Sequence, residues 1–317
     1  MRVLLIIDPI DSLKTYKDSS FVMMVEAARR GHSLFVCEQP QVGYRGGAVK
    51  ARSALLTLAD PSGQTQPWWT LADEQDRPLA EFDAVLMRKD PPFDPEYLTT
   101  VWLLERAVAS GARVFNAPSA LLTHNEKLAI LEFEQFIAPT LVSRDPADLR
   151  AFVGDQGEAV FKLLDGMGGA SIFRARRDDP NLSVIIETMT RMGERTVMAQ
   201  RFLPAIAQGD KRILLIGGEV VPFCLARIPQ AGESRGNLAA GGRGVAQPLS
   251  ARDREIAQAL APVLSARGLL LVGLDVIGDC LTEINVTSPT CFREIMDQTG
   301  EAVAARFVDA LEAAVGV

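Results

Sequence analysis

The sequence predicts an α/β protein of two or three domains that begins with an open α/β sheet. Three observations predict it. The chain opens strand, helix, strand. Near its middle a strand runs into a glycine-rich loop and a second strand resumes. Near its end two β-rich runs form a ribbon with carboxylates on one face.

Arg2 to Ile7 has the apolar pattern of a buried strand and stops at Asp8-Pro9. Asp18-Ser19-Ser20 supplies an N-cap for an amphipathic helix from Phe21 to Arg30, Gly31 ends it, and Ser33 to Glu38 is the second strand. No GxGxxG fingerprint links strand to helix, so no dinucleotide site is assigned. Residues 43–83 read as irregular apart from a strand at Val49 to Leu58, with Trp68 and Trp69 forming a small satellite core. Ala84 to Met87 is a strand running into the charged turn Arg88 to Asp94. Ligands bind outside such strand ends, although this turn alone reads first as a solvated loop. Glu96 to Ser110 is helical and Arg113 to Phe115 is a strand. Asn116 to Ser119 then caps one helix, Ala120 to Phe136, that carries Lys127. Pro139 interrupts the pattern near a domain boundary.

Ala159 to Leu164 is a strand, followed by Asp165-Gly166-Met167-Gly168-Gly169-Ala170-Ser171 and a second strand. Successive glycines let backbone N–H groups turn toward one anion, and Lys162 adds a cation for phosphate. The Walker A pattern is absent, and an ordinary glycine-rich hairpin with an exposed lysine stays an alternative. A helix at Leu182 to Arg191 and a strand at Thr196 to Phe202 come next. Asp210-Lys211-Arg212 leads into the strand Ile213 to Ile216, Gly217-Gly218 is a two-residue turn, and Val220 to Ile228 returns. Residues 229–244 are long, polar and glycine-rich. With Arg235, Asn237 and Arg243 beside Arg227 they read as an anion-gripping lid, or else as a disordered surface loop. Ser250 to Arg267 is a helix, and one last helix runs from Arg293 to Val315.

The ribbon is Leu269 to Asn285. A three-residue loop centred on Asp279 pairs Ile277 with Leu281, Asp275 with Glu283 and Gly273 with Asn285. Asp275, Glu283 and Asn285 then share one face, with room beside Asn285 at Gly273. Leu274, Val276, Ile284 and Val286 take the apolar face. Opposed carboxylates repel. A hard cation carried on substrate phosphates would resolve this; the alternative is a half-buried hairpin with a wet polar face.

Among the 317 residues, 48% are hydrophobic and 23% charged, as in ordinary globular proteins. A net charge of −7 gives no support for a nucleic-acid partner. No run is long enough to span a membrane, and the first apolar run is too short for a signal peptide. Cys37, Cys224, Cys280 and Cys291 form no CxxC pair, which suits a reducing cytoplasm. His32 and His124 are the only histidines, so the supply gives little support to His-based triads or His-rich metal sites.

The order of these signals resembles the ATP-grasp superfamily. Four strings are similar to the bacterial glutathione synthetase family: Leu86 to Asp94, Lys162 to Ser171, Gly236 to Gly244, and Leu281 to Thr290. Asp8-Pro9 and Asp18 to Phe21 match as well, so the resemblance covers nearly the whole chain; Phe202, Arg201 and Leu163 look like substitutions. The resemblance implies an ATP-grasp fold, an N-terminal open α/β domain at 1–122 followed by two α+β subdomains at 123–202 and 203–317 that clamp ATP. It implies that Lys127 and Lys162 contact nucleotide phosphates under the Gly166, Gly168, Gly169 and Ser171 loop. Gln200, Arg201 and Leu203 would hold adenine, and Asp210 the ribose. Lys211, Arg212 and Arg227 would surround the transferring phosphate, with Arg235 and Asn237 in the lid. Asp275, Glu283 and Asn285 would hold two Mg²⁺ ions, or Mn²⁺. Asp18, Ser19, Ser20 and Arg88, with Ser288, Pro289 and Thr290, would lie near γ-glutamylcysteine. The implied reaction joins γ-glutamylcysteine to glycine with ATP, in a cytoplasmic homotetramer. The same core could join other carboxylate–amine pairs. A non-catalytic nucleotide-binding module would be expected to have lost some of these residues, and all are present.

Overall fold

Positions 3–7 are buried on both faces of the first strand, so that strand must lie inside a sheet covered on two sides. The structure is a computed structural model that describes residues 1–317 except 170, 231, 233–235, 237, 239 and 240. Its first part comprises β1 (Arg2–Ile7), α1 (Ser19–Arg29), β2 (Ser33–Glu38), β3 (Val42–Arg45), β4 (Ala48–Leu58), β5 (Trp69–Pro78), β6 (Ala84–Met87), α2 (Pro95–Val108), β7 (Val114–Phe115) and α3 (Pro118–Thr123). The strands form one sheet in the order β3-β4-β2-β1-β6-β7, with β5 on β4. β1 runs parallel to both β2 and β6, which puts the ends of β1 and β6 side by side at Asp8 and Arg88. Asp18 caps α1 by accepting from Phe21 N at 2.7 Å, and Asp94 caps α2 by accepting from Tyr97 N at 2.8 Å.

Three expectations are corrected here. The region read as irregular holds β3 and β5. Most of β5 is exposed, so its residues carry no alternation to read. Trp68 is not in a satellite core. It is fully buried, edge-to-face on Phe21 at 4.9 Å, in the core beneath α1. The helix expected from Ala120 to Phe136 breaks at 124–127, because Asn125 Oδ1 caps a new 3₁₀ segment, accepting from Lys127 N at 3.1 Å and Leu128 N at 3.0 Å.

The second part comprises β8 (Thr140–Ser143), α4 (Pro146–Gln156), β9 (Glu158–Leu163), β10 (Phe173–Arg176), α5 (Leu182–Thr190) and β11 (Val197–Arg201). Its antiparallel sheet has the order β10-β9-β11-β8 and a small core of its own, with Leu149, Val153, Phe161 and Ile186 at its centre. The third part comprises β12 (Asp210–Ile216), β13 (Glu219–Ile228), β14 (Arg243–Pro248), α6 (Ala251–Ala266), β15 (Leu271–Ile277), β16 (Cys280–Asn285), α7 (Phe292–Thr299) and α8 (Val303–Val315). Its sheet has the order β14-β13-β12-β15-β16, and its apolar face shares one core with the first sheet. The single last helix is corrected to two: Gly300, in the left-handed region at φ 74°, closes α7 by donating to Met296 O at 2.9 Å. Among the described residues no helix is long and apolar enough to cross a membrane, and all four cysteines are free thiols.

The ribbon loses the expected pair of Ile277 with Leu281 but keeps the other two by a different route. Ile277 pairs with Cys280, so the turn is two residues, Gly278-Asp279, not three. A β-bulge then inserts Thr282, whose hydroxyl donates to Asp275 O at 3.1 Å. The shorter turn and the extra residue offset each other. Asp275 therefore still faces Glu283, and Gly273 still faces Asn285.

Candidate active site

Two clefts meet between the second and third sheets. The first, with about 900 Å³ of empty space, is lined by apolar Val160, Leu163, Ile172, Phe202, Leu203 and Ile206, together with Lys127, Lys162, Gln200 and Asp210. An apolar slot with a few convergent polar groups is what a heterocycle carrying a charged tail requires. The second has about 1810 Å³ of empty space and is lined by Asp18, Ser19, Ser20, Arg88, Arg212, Arg227, Asn285, Ser288 and Thr290. Gly166, Met167, Gly168 and Glu283 line both.

Lys127 stands at that junction. Its Nζ donates to Gly166 O at 2.6 Å and pairs with Glu283 Oε1 at 2.7 Å. Burial alone would depress its pKa, but Glu283, joined by Glu126 and Asp275, raises it. Lys162 Nζ donates to Gln200 Oε1 at 2.6 Å, and Gln200 Nε2 donates to Thr140 Oγ1 at 3.0 Å. Burial lowers the Lys162 pKa, with Glu283 opposing. The lysine of β9 and the amide of β11 thus sit on one wall because Met198 pairs with Lys162 in the ladder. Beside them Arg174 stacks its guanidinium 3.7 Å over the Phe202 ring.

Alternation along β12 sorts its three charged residues. Asp210 and Arg212 face the site. Lys211 faces the other way and pairs with Asp253, also donating to Gly278 O at 3.0 Å. The expectation that Lys211 meets phosphate is therefore corrected. Arg212 holds Asp275 through two bonds, Nε to Oδ1 at 2.5 Å and Nη2 to Oδ2 at 3.0 Å. Arg227 bridges Asp275 Oδ2 at 2.9 Å and Asp210 Oδ2 at 2.6 Å. The two arginines overcome burial and hold the Asp275 carboxyl well below its usual range. Burial, reinforced by Asp275, pushes Asp210 up to about 6 despite Arg227. Its Oδ1 is buried without a partner among the described residues, an acceptor suited to a hydroxyl.

The space expected at Gly273 is filled by Arg212. A Cβ there would lie 2.8 Å from Arg212 Cδ and 3.2 Å from Pro289 Cβ. Opposed carboxylates at Asp275 and Glu283 are relieved by Arg212, Arg227 and Lys127, a resolution that neither the metal reading nor the wet-face reading included. Among the described residues no group of three His, Cys, Asp or Glu gathers as a metal site. The donor set still suits a hard divalent ion, because Glu283 and Asn285 present oxygen-bearing side chains along the cleft.

In the second cleft Arg88 is buried, which corrects the solvated-loop reading for that residue, while Asp90, Pro92 and Asp94 of the same turn are exposed as expected. Arg88 Nε donates to Ser20 Oγ at 3.0 Å and its Nη2 to Pro289 O at 3.0 Å. Ser19 Oγ accepts from Phe292 N at 3.2 Å. Pro289 thus takes part through its carbonyl and lines neither cleft. Ser171 is exposed and also lines neither; Gly169 and Arg201 border the first. Arg235 and Asn237 lie outside the described residues. Lys14, Lys17 and Glu294, which sequence reasoning passed over, line the second cleft. Nothing in their spacing marks them, since folding alone brings α7 against the β1 loop.

The chain matches the family described as "Prokaryotic glutathione synthetase, N-terminal domain" over residues 1–121 and "Prokaryotic glutathione synthetase, ATP-grasp domain" over residues 126–300. It is 60% identical to the glutathione synthetase of Ralstonia nicotianae, covering 100% of this chain and 97% of that one. It is 55% identical to that of Nitrosomonas europaea, covering 98% of each, and 52% identical to that of Pseudomonas aeruginosa, covering 99% and 98%. D-Cycloserine synthetase DcsG shares the fold at a TM-score of 0.66 and 16% identity over 99% of both chains. The ATP-grasp ligase PsnB does so at 0.62 and 19%, over 99% and 98%. The chain belongs to the prokaryotic glutathione synthetase family of ATP-grasp ligases.

Proposed function

We propose that this chain joins the cysteinyl carboxylate of γ-glutamylcysteine to the amine of glycine, with ATP converted to ADP and phosphate. The observation that carries the reading is the junction of the two clefts at Glu283 and the Gly166 loop, with Lys127 bonded to both. A nucleotide in the first cleft would direct its phosphates toward a carboxylate in the second.

In this reading Gln200 and the main chain of Arg201 and Leu203 hold adenine, and Asp210 accepts from the ribose. Lys127 and Lys162 draw the phosphates under the Gly166–Gly168 loop, where fixed cations and backbone N–H groups stabilise transferring charge. A carboxylate oxygen of γ-glutamylcysteine attacks the γ-phosphorus, the bond to ADP breaks, and an acyl phosphate forms. The neutral amine of glycine then adds to the acyl carbon, and phosphate leaves with that oxygen. Arg212 and Arg227, both paired with Asp275, would neutralise the oxyanion. Asp18, Ser19, Ser20, Arg88, Ser288 and Thr290 orient the dipeptide, and Arg235 and Asn237 belong to the segment that excludes water. Glu283 and Asn285, with Asp275 behind them, would hold two Mg²⁺ ions, Mn²⁺ being the alternative; when bound, such ions would neutralise phosphate charge. Free thiols support a reducing cytoplasm, and family resemblance supports a homotetramer, which light scattering would test.

ADP release is the test of the reaction. Turnover is expected only with γ-glutamylcysteine and glycine together, and turnover indifferent to either would refute the assignment.

A further inference from the structure

β16 is the outer strand of its sheet, and an edge strand presents N–H groups that need partners. One residue supplies several of them. Ile284 N donates to Glu126 O at 2.9 Å. Val286 N and Thr287 N donate to Glu126 Oε1 at 2.8 and 2.9 Å, and Thr287 Oγ1 donates to the same oxygen at 2.9 Å. Glu126 lies in the break between α3 and the 3₁₀ segment, one residue before Lys127, and borders the second cleft. The chain turn that presents Lys127 to the Gly166 loop therefore also presents Glu126 to the segment that follows Asn285.

We propose that Glu126 is a positioning residue, whose Oε1 fixes the turn from Asn285 to Thr287 and so sets Asn285 and Ser288 in register with Lys127 across the two clefts. This rests on the function proposed above. The opposite side of the same segment is held by Arg88, which donates to Pro289 O at 3.0 Å and accepts from Ser288 Oγ at 3.3 Å. Losing Glu126 would leave the segment held through its carbonyls by Arg88 and by Asn116, whose Nδ2 donates to Val286 O at 2.7 Å, with nothing holding its N–H groups. Two backbone N–H groups would be left unmet, which favours a shifted chain over the observed one. A shift of about 1 Å is enough to slow a positioned reaction by roughly 100-fold.

The test compares wild type with Glu126→Gln and Glu126→Ala. Glutamine keeps an acceptor at Oε1 without the charge; alanine removes it. We expect Glu126→Ala to lose roughly 10- to 100-fold in kcat while its calorimetric Kd for ADP stays within about threefold, and Glu126→Gln to stay within about threefold of wild type in both. Amide hydrogen exchange at Val286 and Thr287 should quicken at least about tenfold in Glu126→Ala only. That readout needs no substrate, so it separates failure of this inference from failure of the assigned reaction. Unchanged exchange in Glu126→Ala would overturn the proposal. So would Glu126→Gln as impaired as alanine, which would make the charge itself the agent. Should Glu126→Ala not fold, Thr287→Val deletes one of the bonds to Oε1. It is expected to lower kcat/KM for γ-glutamylcysteine roughly 3- to 10-fold at unchanged ADP affinity; wild-type kinetics there would also overturn it.

Discussion

Asp275 stands directly opposite Glu283 on the β15–β16 ribbon, yet the two carboxylates answer to different cations. Asp275 is clasped by Arg212 and Arg227 inside the third sheet, and Glu283 reaches Lys127 across the cleft. One carboxylate therefore organises the wall, and the other faces the junction of the two clefts.

This division separates two kinds of loss. Asp275→Ala leaves the buried Arg212 and Arg227 short of a partner and should cost about 3–5 kcal/mol, read from urea denaturation. Glu283→Ala and Asn285→Ala should cost no more than about 1–2 kcal/mol while lowering ADP release at least about 100-fold. Near-wild-type turnover in either would remove Glu283 or Asn285 from the reaction centre.

Lys162 is charged at the expense of burial, and it is the nucleotide that should reward that charge. Lys162→Met is expected to raise the Kd for ADP at least about tenfold and leave the melting temperature unchanged or higher. Isothermal calorimetry and a melting curve on the same sample check both halves.

Lys211→Met should do the reverse. Asp253 is buried and would lose its ammonium partner while keeping its bond from Ser250 N at 3.0 Å. A loss of about 1–3 kcal/mol in stability is expected with KM for ATP unchanged. A raised KM would return Lys211 to the nucleotide.

Acid should loosen α1 from α8 through Glu26. Hydrogen bonds from Arg29 and Arg30 hold its pKa down to about 2, and Arg30 also pairs with Asp309 and Glu312 of α8. A carboxylate lowered on folding stabilises above its unfolded pKa, near 4.5, and loses that contribution as pH falls toward 2. The stability difference between wild type and Glu26→Gln, about 1 kcal/mol at pH 7 after allowing for solvent screening, should therefore shrink between pH 5 and pH 3. A constant difference across that range would exclude the Glu26 contribution.

Much of this was legible in the sequence because it obeys local rules. Buried strands such as β1 and β6 carry apolar runs, Asp18 and Asp94 are good caps, and the two-residue turn at Gly217-Gly218 leaves little choice of register. What escaped depends on partners distant in sequence. β5 is wet on most of its length and shows no alternation. The bulge at Thr282 has no local signal; the pairs of Asp275 with Glu283 and of Gly273 with Asn285 survived because two departures from regular geometry offset each other, while that of Ile277 with Leu281 did not. Lys211 was misassigned although alternation from Asp210 and Arg212 already turned it away. Glu126 was hidden inside an apparent helix whose break is set by Asn125 and by contacts with β16.

The central claim is that a substrate carboxylate takes phosphate before the amine arrives. γ-Glutamylcysteine carrying ¹⁸O in its cysteinyl carboxylate tests it most directly. Mass spectrometry of the products should find one ¹⁸O in the inorganic phosphate for each peptide bond made. Unlabelled phosphate released alongside glutathione would contradict the acyl phosphate.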